Sequence, residues 1–214
     1  MKLYSYYRSS AAFRVRIALN LKGLKYEYLP VNLVELDHKS ESYLAANPQG
    51  LVPALELPSG QVLAQSVAII EWLEQSYPDP ALLPKDALEQ ARIRSMINTI
   101  CCDIHPLCNV SVTNYLKDRY SAGQEATAHW YTTWMHRGFS AIEQVLAANN
   151  SAYSFGEMPC MADIFLAPQV YNARRFDVPM HDFPHLERVV DSCMQLDTFA
   201  QAAPDVQPDS PQSK

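Results

Sequence analysis

Ser9 and Ser10 stand between an aromatic run, Leu3, Tyr4, Tyr6 and Tyr7, and a helical period through Phe13, Arg14, Val15, Ala18, Leu19 and Lys22 that Gly23 is suited to end. A hydroxyl at that junction caps a helix. The unpaired amides and the positive dipole end at the same place stabilise a carboxylate, a phosphate or a thiolate. The same pattern also describes an ordinary helix cap with no chemistry. Gln65-Ser66 repeats the polar helix start ahead of Val67, Ile69, Ile70, Trp72 and Leu73, with Ser66 as the expected cap. Val52-Pro53 places a proline at the opening of a strand directly after a turn. A cis peptide can be favoured there, leaving the preceding backbone free to pair with a ligand peptide. Cys101, Cys102, His105 and Cys108 lie close together, with Cys101 and His105 at an i, i+4 spacing. Structural zinc sites usually take ligands from two separated pairs, so the reading is buried thiols on a core helix and no metal.

These residues need a scaffold, and the patterning supplies one. A strand, a helix to about Lys22, a strand-like run from Tyr26 to Leu33 and a polar stretch through Asn47 make a βαβ opening. After the turn Asn47-Pro48-Gln49-Gly50, the runs Val52 to Leu57 and Gln61 to Ala64 flank Pro58-Ser59-Gly60 as a hairpin, and a helix follows from Ser66. Tyr77 to Pro84 is proline-rich and reads as a linker. From Asp86 onward apolar residues recur every three or four, as in Ile93, Met96, Ile97 and Ile100, or Trp130, Trp134, Phe139, Ile142 and Leu146. That half reads as a helical bundle kinked at Pro106 and Pro168. The domains are expected at 1–80 and 87–214, with the tail from Ala203 extended over the surface or frayed.

The 214 residues are 48% hydrophobic, enough for a buried core, and the net charge of -6 gives no basic footprint for nucleic acid. No uninterrupted apolar run is long enough to span a bilayer and no leader pattern opens the chain, so a cytoplasmic protein is expected. The five cysteines include no CxxC pair and read as reduced thiols.

Ser9-Ser10 with Arg14, Val52-Pro53 and Gln65-Ser66 fall at the three loops that a thioredoxin-like domain gathers at one end of its sheet. With an all-helical half behind them, the chain resembles the cytosolic glutathione transferases over nearly its whole length. Arg8-Ser9-Ser10, Arg14 to Leu19, Asn47-Pro48, Val52-Pro53, Gln65 to Glu71, Ile104-His105-Pro106-Leu107 and Pro168-Gln169-Val170 are similar to the zeta class, which contains the maleylacetoacetate isomerases. The resemblance implies an α/β thioredoxin-like N-terminal domain that binds glutathione, then an all-α C-terminal domain on the substrate side. It also implies a homodimer.

The resemblance further implies that Ser9, with Ser10, hydrogen-bonds the glutathione sulfur. Val52, ahead of Pro53, pairs its backbone with the glutathione cysteine, and Gln65 and Ser66 hold the glutamyl carboxylate. His38 and Gln49 contact the other end of the tripeptide, and His105, Asn109 and Ser111 complete the binding set. Donors and a helix N-terminus lower a thiol from its usual pKa of about 8.5. The implied reaction is cis–trans isomerisation of maleylacetoacetate to fumarylacetoacetate by reversible thiolate addition. Arg8 and Arg175 serve the substrate anions, and His105 donates a hydrogen bond or relays a proton. His105 also reads as a core histidine and Arg174 as a surface arginine. Arg14 and Arg16 read as structural, paired with acids on the bundle, and Trp72, Trp130 and Trp134 as core or interface residues.

Two positions depart from the family pattern. Ala11 stands where the family commonly has a cysteine, so glutathione is the only nucleophile in that loop. Cys160 replaces a capping hydroxyl ahead of Asp163, which predicts a softer helix start. Maleylpyruvate is the alternative substrate. Relatives acting on it have an arginine near Ser111, and the serine here favours maleylacetoacetate. A glutathione transferase or dehalogenase acting on α-halo acids, and a non-catalytic binding adaptor, are the other readings.

Overall fold

A computed structural model describes residues 1–213, which divide into two compact units. The first unit holds Met1–Ala81 together with the segment from Gln195 onward. Its sheet has the order β2-β1-β3-β4: β1 (Lys2–Ser5) runs parallel to β2 (Glu27–Pro30) and antiparallel to β3 (Ala54–Glu56), which pairs antiparallel with β4 (Val62–Ala64). Along β1 Leu3 and Ser5 point into the core while Lys2 does not, the two-residue period of a strand with one covered face. The hairpin turns where expected, on Gly60 at φ +84°.

Helix α1 (Ser10–Leu21) is buried around almost its entire surface, Ala12 through Leu19 without interruption. Arg14 and Arg16 are therefore buried with the apolar residues between them, and each guanidinium needs partners inside the fold. A short helix α2 (Glu41–Ala46) is capped by Ser40, whose hydroxyl accepts from the Tyr43 amide at 3.3 Å. Helix α3 (Ser66–Ser76) packs on α1. The expected cap at Ser66 falls one residue earlier: Gln65 is the cap, at φ +71°, and Ser66 is the first helical residue.

The tail is neither frayed nor laid loosely over the surface. A helical turn α4 (Asp197–Ala200) packs on α1 through fully buried Phe199, and Ala202, Pro204, Gln207 and Ser210 are buried after it. Gln207 holds the bend by donating from Nε2 to the carbonyls of Gln201 and Ala203 at 2.9 and 2.8 Å. The sequence reading assigned these residues to the 87–214 domain, whereas they group with the first 81. Proline content hid the cause. Prolines forbid a long helix but not a chain of short turns that buries a phenylalanine and two polar residues.

The second unit, Leu82–Met194, is helical. It comprises α5 (Ala87–Asn98), a π-helical segment Thr99–Ile104, α6 (Val110–Tyr120), α7 (Gln124–Asn149), α8 (Met161–Arg175) and α9 (Pro184–Met194), where α4 is the short tail helix above. Helix α8 is the core, buried from Met161 through Val170, and α5 and α9 pack against it. Pro168 sits inside α8 without ending it. Pro106 acts upstream of itself: its ring disfavours the regular helical position against the Cys102 carbonyl, and the chain widens, with the His105 amide donating to Ile100 at 2.8 Å, five residues back. Asp86 caps α5. At the start of α8, the Asp163 carboxylate accepts from the Cys160 amide at 2.8 Å, and the Cys160 side chain completes a capping box. The helix start thus keeps the capping-box pattern through Asp163, with a thiol in place of the hydroxyl. Asp163, fully buried, also accepts from the Ser154 amide at 2.9 Å and its hydroxyl at 2.6 Å.

Candidate active site

Ser9 caps α1 as expected: its Oγ accepts from the Ala12 amide at 3.2 Å. Accepting one bond leaves the hydroxyl proton, and among the described residues that proton has no acceptor. The donor thus stands at a helix N-terminus whose first turn carries no acidic side chain, and both features favour an anion in front of it. Ser10 is buried as the first residue of α1. Arg8 precedes the cap, its guanidinium 5.2 Å from the Tyr7 ring centroid and 5.8 Å from that of Tyr6, and it donates to the Tyr6 hydroxyl at 3.1 Å.

The second loop is shaped by its own carbonyls. Leu51 accepts from the Tyr43 hydroxyl at 2.6 Å and from Asn47 Nδ2 at 2.7 Å, which fixes the chain just ahead of the cis Val52-Pro53 peptide. Val52 lies outside the sheet, whose ladder begins at Ala54, so strand pairing does not consume its N–H and C=O. The extended peptide of a ligand fits that edge. Gly50, at φ +60°, comes so close to the chain at His38 that a Cβ would lie 2.9 Å from the His38 carbonyl. This approach brings the His38 main chain against the Gly50 turn. Burial, with Lys39 adding to it, lowers the His38 pKa.

The third loop joins the second directly. Gln65 Nε2 donates to Gln49 Oε1 at 2.9 Å, and Gln65 holds a left-handed backbone that few non-glycine residues adopt. That conformation turns the chain abruptly into α3, whose first turn carries no acidic residue. Ser66 accepts from Arg14 at 3.3 Å, so the buried arginine adds positive charge at the same helix start. A carboxylate suits this position better than a cation or an apolar group.

The remaining predicted residues belong to the second unit. His105 is half-buried at the end of the π-helical segment. Asn109 caps α6, its Oδ1 accepting from the Ser111 amide at 2.9 Å and hydroxyl at 2.8 Å, so these two side chains are engaged with each other. At the last turn of α8 the two arginines differ. Arg174 pairs with Asp191 at 3.1 Å and Glu187 at 3.4 Å, whereas Arg175 is exposed and lies 4.8 Å over the Phe176 ring, itself stacked on Tyr131. Arg175 keeps its charge uncommitted to any carboxylate among the described residues. No group of three or more His, Cys, Asp or Glu side chains among the described residues is arranged to hold a metal ion.

Residues 3–81 match the family model described as glutathione S-transferase, N-terminal domain. The chain is 47% identical over 213 residues to a maleylacetoacetate isomerase of Pseudomonas aeruginosa, covering 99% of each. A solved holo structure of a maleyl pyruvate isomerase, described as a bacterial glutathione S-transferase in the zeta class, superposes at a TM-score of 0.95 with 48% identity, over 98% of this chain and 100% of that one. The chain belongs to the zeta-class glutathione transferases. Another structure, a maleylacetoacetate isomerase of Methylobacterium extorquens with bound malonate and GSH, matches at a TM-score of 0.94 with 35% identity, over 99% of this chain and 100% of that one.

In this zeta-class transferase the three loops of the first unit fit glutathione in chemical kind. Ser9 keeps a hydroxyl proton to donate, the Val52 main chain is left out of the strand ladder, and the Gln65-Ser66 helix start carries no acidic residue. Asn47 reads from the sequence only as the start of a turn and Tyr43 carries no signal there, because their contacts to Leu51, which shape the Val52 turn from behind, depend on how α2 lies. The buried Arg14 behind Ser66 was read as structural. Its bond to Ser66 gives that structural role an electrostatic consequence.

Proposed function

We propose that this zeta-class transferase isomerises maleylacetoacetate to fumarylacetoacetate with glutathione as its cofactor. Glutathione, when bound, supplies a thiolate that adds reversibly to the conjugated double bond, allows rotation and departs unchanged. The observation that carries the reading is the Ser9 hydroxyl, held by its own capping bond with its proton left to donate. Ser9 and the N-terminus of α1 stabilise a sulfur anion, and Val52 and the Gln65-Ser66 helix start orient the tripeptide. Arg8 and Arg175 attract the two carboxylates of the substrate and offset the negative charge that develops on its oxygen. His105 donates a hydrogen bond, with Asn109 and Ser111 fixing the helix start after it.

Maleylpyruvate is the second reading, favoured by the near-equal likeness to relatives named for each acid. The two acids share the cis double bond conjugated to a ketone and the paired carboxylates, so one site accommodates either. The reading also implies a homodimer working in the cytoplasm in aromatic amino acid breakdown. Size-exclusion chromatography with light scattering tests the dimer.

Loss of the maleyl chromophore with purified protein, with and without glutathione and coupled to a fumaryl-specific hydrolase, tests the activity. Glutathione-dependent turnover is expected, and the ratio of rates on the two acids selects the substrate. Ser9→Ala is expected to lower kcat on the order of 10²- to 10³-fold per folded molecule, with the glutathione KM changed much less. An unaltered kcat would remove Ser9 from the mechanism.

A further inference from the structure

The Arg8-Ser9 loop is held by more than its neighbours in sequence. The Tyr7 amide donates to Asp209 Oδ2 at 3.0 Å, and the other oxygen of that carboxylate accepts from the Tyr28 hydroxyl at 2.6 Å. On the carbonyl side, Arg16 donates from its NH2 group to Tyr7 at 3.0 Å and from its NH1 group to Ser5 Oγ at 3.1 Å, with a longer approach to the Tyr6 carbonyl at 3.5 Å. The Arg16 Nε donates to Ala202 at 2.8 Å, which ties the same guanidinium to the tail. The Tyr6 carbonyl then accepts from the Ser9 amide at 2.9 Å. Two groups of opposite charge thus engage the two polar sides of the Tyr6-Tyr7 main chain, immediately ahead of the residues that face the ligand. Arg16 is fully buried and Asp209 rides on a tail whose Gln207 and Ser210 are buried, so neither group swings freely.

We propose that Asp209 and Arg16 are positioning residues of the catalytic loop, and that the C-terminal tail is in this way part of the active-site architecture. Bonds to a carboxylate and a guanidinium are stronger than neutral ones. The job of Ser9 needs its hydroxyl held to within about half an ångström. Without Asp209 the Tyr7 amide and the Tyr28 hydroxyl lose this acceptor together, and the turn from β1 into α1 loses its tie to the tail carboxylate. A displacement of about 1 Å costs on the order of 10²-fold in rate when a reacting group is misplaced. Asp209 acts on kcat through Ser9, not on affinity through contact with the ligand.

The proposal rests on the glutathione reading of Ser9, and the test separates the two. The thiolate absorbance of glutathione bound to the whole protein is followed against pH, alongside kcat and KM, for the unaltered protein, Asp209→Ala and Asp209→Asn. No thiolate signal with the unaltered protein would overturn the glutathione reading and this inference with it. With that signal present, Asp209→Ala is expected to raise the apparent pKa of the bound thiol and to lower kcat roughly 10- to 100-fold, with the glutathione KM less affected. Asp209→Asn keeps an acceptor for the Tyr7 amide and is expected to recover much of the loss. Melting temperature falling while thiol pKa and kcat per folded molecule stay unchanged in Asp209→Ala would overturn the clamp and leave the glutathione reading standing. If Asp209→Ala fails to fold, Tyr28→Phe replaces it. An unchanged thiol pKa and kcat in both Asp209→Asn and Tyr28→Phe would then overturn the clamp.

Discussion

Each cysteine's reactivity follows from its surroundings. Burial pushes the Cys108 thiol up to about 12, and burial with the nearby Asp163 carboxylate raises Cys160 and Cys193 well above the usual range. Cys102 is exposed and Cys101 half-buried, both in the π-helical segment. Alkylation of the native protein near neutral pH is therefore expected to label Cys102 first and Cys101 more slowly. Cys108, Cys160 and Cys193 should react only after unfolding, as peptide mass spectrometry would report. Labelling of Cys160 in the native protein would contradict the engagement of its thiol in the capping box. Residues whose role depends on local chain direction were legible in the sequence: Ser9 as a cap, Val52-Pro53 as a turn with a free edge, Gln65-Ser66 as a helix start. Asp209 was not, because its partner amide lies 202 residues away and nothing in its own neighbourhood hints at it. Arg16 reads from the sequence as structural with acidic partners on the bundle, and the carbonyls and the hydroxyl it donates to are not visible there, since they lie at the end of β1 and on the tail.

The elements that carry these residues are strongly periodic, and their order was readable for that reason. Departures came where one residue overrules the period. The left-handed Gln65 moves a cap, and Pro106 widens the helix ahead of itself, as a kink placed at the proline would not. The π-helical segment is also shaped across helices. A Cβ on Gly138 in α7 would lie 2.4 Å from Ile104 Cδ1 and 2.5 Å from its Cγ1, and Ile104 is fully buried with a branched side chain that has little room to turn. Gly138→Ala sets two effects against each other. Alanine gains about 1 kcal/mol of helix propensity, while overpacking a closed core costs about 1–3 kcal/mol. Because both close atoms belong to one confined side chain, the steric cost prevails, and chemical denaturation is expected to show a net loss of up to about 2 kcal/mol. The shift is expected to reach His105, the residue after Ile104, and to lower kcat beyond the loss of folded protein. A more stable variant would mean that Ile104 rotates away at little cost.

At the scale of the molecule, the first unit is assembled from both ends of the chain, with the whole second unit synthesised between them. The sheet and α1–α3 are therefore made before the segment that completes their core. Phe199 and Ala202 cover α1, and Arg16 has its Ala202 partner only once the tail docks. Composition concealed this arrangement: a stretch rich in proline and poor in apolar residues looks dispensable, yet a single phenylalanine and a few buried polar groups anchor it. Phe199→Ala removes the largest apolar group of that anchor and is expected to cost about 3–5 kcal/mol, the usual penalty for emptying a buried phenylalanine site. The loss should not be spread evenly. Amide exchange is expected to accelerate first at Tyr7 and along α1, and protease cleavage to appear beyond Met194, at denaturant concentrations where α8 stays protected. Bound-thiolate absorbance should weaken over the same range, since undocking the tail carries Asp209 away from the Tyr7 amide. Uniform exchange across both units, with the thiolate signal persisting until global unfolding, would show that the tail stabilises the whole chain without bearing on the catalytic loop.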